Sequence, residues 1–213
     1  MRKFILALAL AAVSYSLQAV DYNITDYGAR QKGMTTSSIQ AAIDKCSSEG
    51  GGRVIIPRGT WTSGTVELKD GVTLFLEAGA VLKGSTRRED YSKNFIRAVK
   101  AWNIGVEGYG TVDGSGSAFW KVTQHGGYEH DRPVPGYMLY FEGCHNIRVS
   151  GVKLMNAESW TLHLLGCFDT MIRDVVIRNP LHGPNNDGID IQSCKNVTIS
   201  GCDIYTSDDA IVL

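Results

Sequence analysis

An all-β chain wound as a right-handed parallel β-helix, a solenoid closed at its N-terminal end by one short helix, is what this sequence predicts. Three observations carry the prediction. Short apolar runs of period two recur along the chain with Gly, Asn or Ser between them. Three cysteines head repeated segments at coil-length spacings, the copies at Cys144 and Cys194 close and the one at Cys167 looser. The one stretch with helical periodicity lies ahead of them all. Composition adds only exclusions. With 24 Gly, 5 Pro, 43% hydrophobic residues and a formal net charge of -1, the 213-residue chain is neither disordered nor a multi-span membrane protein, and no basic block offers itself to nucleic acid.

Taken in order, residues 1–19 are not part of the fold. Arg2 and Lys3 precede an uncharged apolar run from Phe4 to Val13, and Leu17-Gln18-Ala19 closes the segment. That is the layout of a secretory signal peptide, and the run is well short of the ~20 residues a spanning helix needs. The expectation is a secreted or periplasmic protein with no membrane span, whose residues 20–213 form one β-helix domain. Export permits disulfides, but Cys46, Cys144, Cys167, Cys194 and Cys202 are odd in number and none has a zinc-site spacing. Buried thiols are favoured, with Cys194–Cys202 or Cys167–Cys194 as the alternative bridges.

The cap comes next. Ser37 or Ser38 can N-cap a helix whose apolar positions Ile39, Ala42, Ile43 and Cys46 share one face. Gly50-Gly51-Gly52 ends it, and Arg53-Val54-Ile55-Ile56-Pro57 starts the sheet. A helix over the first coil hides the strand edge that a solenoid leaves open. The triple glycine lacks a following Lys-Ser/Thr and precedes a strand, so it is not a phosphate loop.

The coils are faint at first (Val72, Leu74 and Leu76; Ile104 and Val106) and clear from Tyr137 onward. Cys144, Cys167 and Cys194 set the register. Each is preceded by an alternating apolar pair, Leu139 with Phe141, Leu162 with Leu164, Ile189 with Ile191. Asn146 and Asn196 fall at one position of the repeat, where their amides can bond along the stack.

The same register aligns Ile211 with Ile189, and so places Asp209 on Asp187 with Asp208 alongside. Stacked strands are ~4.8 Å apart, so these carboxylates come close, and like charges at that range push at least one pKa upward. Such an arrangement is typical of an acid and a base working together. On earlier coils the equivalent positions are Trp160 and Tyr137, an aromatic stack beneath the acids that suits a sugar ring.

At these residues the chain resembles glycoside hydrolase family 28, the polygalacturonases and related pectin hydrolases. Asn185-Asn186-Asp187-Gly188-Ile189-Asp190 matches that family's Asn-Thr-Asp-Gly-x-Asp motif with Asn186 in place of Thr, and Asp208-Asp209 matches its Asp-Asp pair one coil later. Tyr27-Gly28-Ala29, Glu49 to Val54 and Gly110 to Gly114 are similar to its N-terminal half. The resemblance implies inverting hydrolysis of α-1,4-galacturonosyl bonds. Asp208 would protonate the leaving oxygen while Asp187 and Asp209 activate water. Asn185, Asp190 and Trp160 would bind substrate or support the acids. It implies no metal and no cofactor, an anionic pectic polysaccharide as the partner, and a monomer at full length. Two other classes fit the fold: a calcium-dependent pectate lyase, with Arg173 or Arg178 as base, and a non-catalytic carbohydrate-binding or adhesin β-helix. The family's Gly-His-Gly and Arg-x-Lys motifs do not occur, and Leu213 ends the chain within a strand; the expectation is the N-terminal portion of a longer enzyme, inactive by itself.

Overall fold

The computed structural model describes residues 20–131 and 133–213; the segment expected to be a signal peptide lies outside the described residues. From Gly52 onward the backbone winds in flattened coils, each contributing one strand to each of three sheets. One full coil is Leu139–Glu142, His145–Ser150 and Lys153–Met155, and the next is Leu162–Leu165, Phe168–Arg173 and Val176–Arg178. Strands pair parallel with their equivalents one coil up and down. This is the predicted β-helix, and the right-handed winding is the sense that parallel crossovers take.

Stacked coils put like on like. Leu139, Leu162 and Ile189 are in register, as are Leu154 and Ile177, and all five are fully buried. Burying each such side chain stabilises the fold by about 1.5–3 kcal/mol, and repetition turns that into one continuous core. Because period two alternates inward and outward, every outward position forms its own column up the stack.

The cap helix spans Thr36–Ser48 and buries Ile39, Ala42, Ile43 and Cys46, the four positions expected. Its N-cap is Thr35, two residues ahead of Ser37 and three ahead of Ser38, with no side-chain capping bond. The sheet also begins earlier than Arg53, because Asp21–Asn23 pairs with Gly52–Ile56.

The asparagine ladder expected from the repeat is longer than the two residues read there, and one further feature was not legible in it. The asparagine positions form a ladder of four: Asn103, Asn146, Asp169 and Asn196 all have positive φ between 52 and 59°. Asn146 donates to Asn103 (2.7 Å) and Asn196 to Asp169 (2.8 Å), each amide bonding to the residue at the same position one coil below. Asn and Asp tolerate this left-handed corner better than other residues with a side chain. Between Asp113 and Leu139 the coil is interrupted by an antiparallel hairpin, Trp120–Val122 with Tyr128–His130.

Candidate active site

The acids gather where the coil register brings them. Asp187 lies just before the strand Ile189–Gln192, which pairs with Ile211–Val212 one coil on. Gly188 N–H donates to the Asp209 carbonyl (2.9 Å), and Thr161 N–H donates to that of Asp187 (3.0 Å). Asn94, Tyr137, Trp160, Asp187 and Asp209 therefore form one column along the stack. Gly188 is required at this step, because a Cβ there would collide with the Ala210 carbonyl. Carboxylate oxygens of Asp187, Asp208 and Asp209 all lie within 4.8 Å of one another. Asp208 also accepts from Asp209 N–H at 3.0 Å, which fixes the turn between them.

Burial divides the acids. Asp187 and Asp190 are buried, whereas Asp208 and Asp209 face solvent. Burial, and then the charges of Asp208 and Asp209, push the Asp187 carboxyl above the usual carboxylate range. Asp190 is pushed further, to about 7, by burial and then by Asp187, Asp209 and Asp208. Burial therefore acts first on Asp190, and the neighbouring acids add to it.

Below the acids, the rings of Tyr137 and Trp160 stack at 4.7 Å and 8°. His163 meets both rings edge-on at 5.0 Å. It sits in register directly beneath Asp190.

The loop carrying the acids is held by residues whose role no motif announced. Asn186, fully buried, donates to the carbonyls of Ala157 (2.8 Å) and Ser159 (3.1 Å). Asn179 accepts from Ala157 N–H (3.0 Å) and donates to the Thr161 and Thr206 hydroxyls (2.7 and 3.2 Å), tying three coils together. Ser207 donates to the Gly183 carbonyl (2.6 Å). Exposed Asn185, with φ 51°, turns outward and lines a cleft of about 480 Å³ with Pro184 and the hairpin's Lys121, Tyr128, Glu129 and His130. The hairpin is pinned beside the acids by Trp120 donating to the Glu158 carbonyl at 2.8 Å. The only signal for it in sequence was the length of the step from Asp113 to Leu139.

A second cleft, about 510 Å³, lies far toward the cap beside Ser85, Arg87 and Asp90. Its acid is already engaged, Asp90 accepting from Ser85 and Arg87. Asp187, Asp208 and Asp209 form no part of its lining.

A parallel β-helix with carboxylates clustered above an aromatic stack defines a class of carbohydrate-handling solenoids. Within it, residues 46–213 match the model of glycosyl hydrolases family 28, and the chain belongs to that family. It is 28% identical to a "Probable polygalacturonase" of Vitis vinifera, covering 96% of this chain and 46% of that protein. To an "Exopolygalacturonase" of Zea mays it is 27% identical, over 89% of this chain and 48% of the relative. Among solved structures, a hyperthermoactive exopolygalacturonase from Thermotoga maritima superposes with a TM-score of 0.80 at 25% identity, covering 90% of this chain and 54% of that one. The chain spans about half the length of the curated relatives it matches.

Proposed function

We propose that this chain is the acid-bearing part of an exported pectin hydrolase that cleaves α-1,4-galacturonosyl bonds of polygalacturonate. The observation that carries the reading is the trio Asp187, Asp208 and Asp209, whose oxygens lie within 4.8 Å of one another in a member of family 28. In this reading exposed Asp208 protonates the glycosidic oxygen, while Asp187 and Asp209, stacked on successive coils, hold and deprotonate water. Trp160 and Tyr137 offer an aromatic platform to the sugar. Export is supported by the charge and hydropathy pattern of residues 1–19, and no helix among the described residues is long and apolar enough to cross a membrane.

Inversion is the finer part of the proposal. Inverting pairs usually stand roughly 6.5–9.5 Å apart to admit water. Here the three acids share the work, two around the water and one at the leaving group. The test follows reducing ends, unsaturated uronide and the anomer first released from polygalacturonate by the full-length protein, beside Asp208→Asn. New reducing ends of inverted anomeric configuration, without unsaturation and lost in the variant, are expected. Retention of configuration would overturn inversion.

One observation favours a second reading. The same spacing of carboxylate oxygens is one at which a hard divalent cation is shared, as calcium-dependent elimination would need. Unsaturated products abolished by chelator would establish that reading; full hydrolysis in chelator excludes it.

A further inference from the structure

Trp102, His145 and Phe168 occupy one outward position on three successive coils, and Lys195 holds the same position on the fourth. The three rings form a continuous ladder. Trp102 stacks on His145 at 3.9 Å and 1°, and His145 on Phe168 at 4.6 Å and 8°. The ladder is not covered by the rest of the chain: Trp102 keeps 53% of its surface exposed and Phe168 37%. Stacking hides ring faces and leaves the edges to solvent, and the edge is the electropositive part of an aromatic ring.

Cations surround the rings. Lys195 continues the ladder, Lys100 stands two residues before Trp102, and Arg148 lies three positions along the strand from His145. All three are exposed, and none forms an ion pair among the described residues. The acids of this face are already engaged. Asp70 accepts from Trp102 N–H (2.7 Å), Asp169 from the Asn196 amide (2.8 Å) and Glu107 from the Ser150 hydroxyl (3.3 Å). The corner between this sheet and the one carrying Asp190 passes through Lys100, Gly143, Gly166 and Ser193, all with positive φ. A Cβ at Gly166 would meet nothing within 4 Å, and one at Gly143 only the Lys100 side chain, so the corner is low on these two coils.

We propose that this face is a docking surface for an anionic polysaccharide, separate from the acid column, on which polymer carboxylates meet Lys100, Arg148 and Lys195 beside the ring edges. Charge selects the occupant. Three cations without acidic partners and the positive edges of three rings share one face of a chain whose formal net charge is -1. The polymer meant is polygalacturonate, so the proposal rests on the pectin-hydrolase reading. From Trp102 to Lys195 the stack rises about 14 Å, enough for a chain lying along it to be met through several sugar units. A polymer held there stays at high local concentration beside the acids, whereas a short oligomer gains nothing from the second surface.

The test uses the full-length protein with Trp102→Ala, or with Arg148→Ala and Lys195→Ala combined; all three side chains are exposed, so the fold tolerates their loss. Binding is read by affinity electrophoresis in gels carrying polygalacturonate, in an Asp208→Asn background that leaves the polymer intact. The cation variant is expected to bind about tenfold more weakly than its parent, and Trp102→Ala about fivefold. Binding that stays within about twofold of the parent in both variants overturns the proposal. So does a parent that binds fully methyl-esterified, uncharged polymer as tightly as the charged form.

Kinetics with Asp208 intact separate docking from chemistry. In both variants KM for the polymer should rise while kcat, and both constants on a short oligogalacturonide, stay as in wild type. Equal losses on polymer and oligomer would place these residues in the acid site and overturn a separate surface. The two readings also fail differently. Weakened binding in variants of a protein that does not hydrolyse polygalacturonate keeps the surface and ends the hydrolase reading. Hydrolysis with polymer binding unmoved ends the surface alone.

Discussion

Trp160 stands one coil directly beneath Asp187, and its ring lies flat on Tyr137 one coil further down. Acid and platform are thus set by the same backbone ladder, so the distance between them is fixed by strand spacing rather than by a mobile loop. This relationship predicts a division of labour. Trp160→Ala should raise KM about tenfold, the equivalent of ~1.4 kcal/mol of lost contact, while kcat falls much less. Steady-state kinetics on polygalacturonate decide it, and a selective fall in kcat would make Trp160 part of the chemistry instead.

Asn186 bears on the site from behind. Its two bonds to Ala157 and Ser159 hold the loop whose next residue is Asp187. Asn186→Ala leaves both carbonyls buried and without that donor, at a cost of about 2 kcal/mol, visible as a lower urea midpoint. Asn186→Thr, which restores the residue of the family motif, keeps one donor and should fall between the two. Equal stability of Thr and Ala would show that the second bond, not the first, holds the loop.

The buried acids also make stability depend on pH. A carboxyl whose native pKa is raised keeps its proton in the folded chain at pH values where the unfolded chain has lost it. Its contribution is complete below the unfolded value of 3.8 and is lost as pH rises through about 7. The melting temperature should therefore fall between pH 5 and pH 7.5, with Asp190 responsible for about 2 kcal/mol, or roughly 5 °C. Asp190→Asn should flatten that slope. A melting temperature that rises over the same window would contradict the assignment.

All five cysteines are free thiols, with Cys46, Cys144 and Cys167 buried and Cys194 and Cys202 half-buried. Neither bridge considered from the sequence forms. Cys144, Cys167 and Cys194 instead stack in one column, each backbone step bonded to the next, with Phe168 N–H donating to the Cys144 carbonyl at 2.9 Å and Lys195 N–H to that of Cys167 at 2.9 Å. Thiol titration of the denatured, unreduced chain should count five, and in the native protein the buried three should react far more slowly. A count of three would establish one disulfide.

Much of this molecule was legible in its sequence because a solenoid repeats. Leu139, Leu162 and Ile189 recur at fixed places, and once they are aligned the pairing of Asp187 with Asp209 follows by counting, as does the stack of Trp160 on Tyr137. The cap helix followed in the same way from the helical spacing of Ile39, Ala42, Ile43 and Cys46. What the repeat could not say concerns everything that departs from it or depends on burial. The hairpin at Trp120–His130 has no counterpart on other coils, so alignment reveals only a gap in the count. The capping of the acid loop by Asn186 and Asn179 rests on carbonyls that are distant in sequence and adjacent only after winding. The charge state of the acids depends on depth. Asp187 and Asp190 are as acidic as Asp208 and Asp209 when written as letters, and only packing between the coil of Trp160 and His163 below and the next coil above buries one pair and leaves the other in water. Periodicity therefore determined which residues meet, because strand spacing is constant. The tertiary structure alone decided how much solvent each of them keeps, and with it that burial pushes the carboxyls of Asp187 and Asp190 upward.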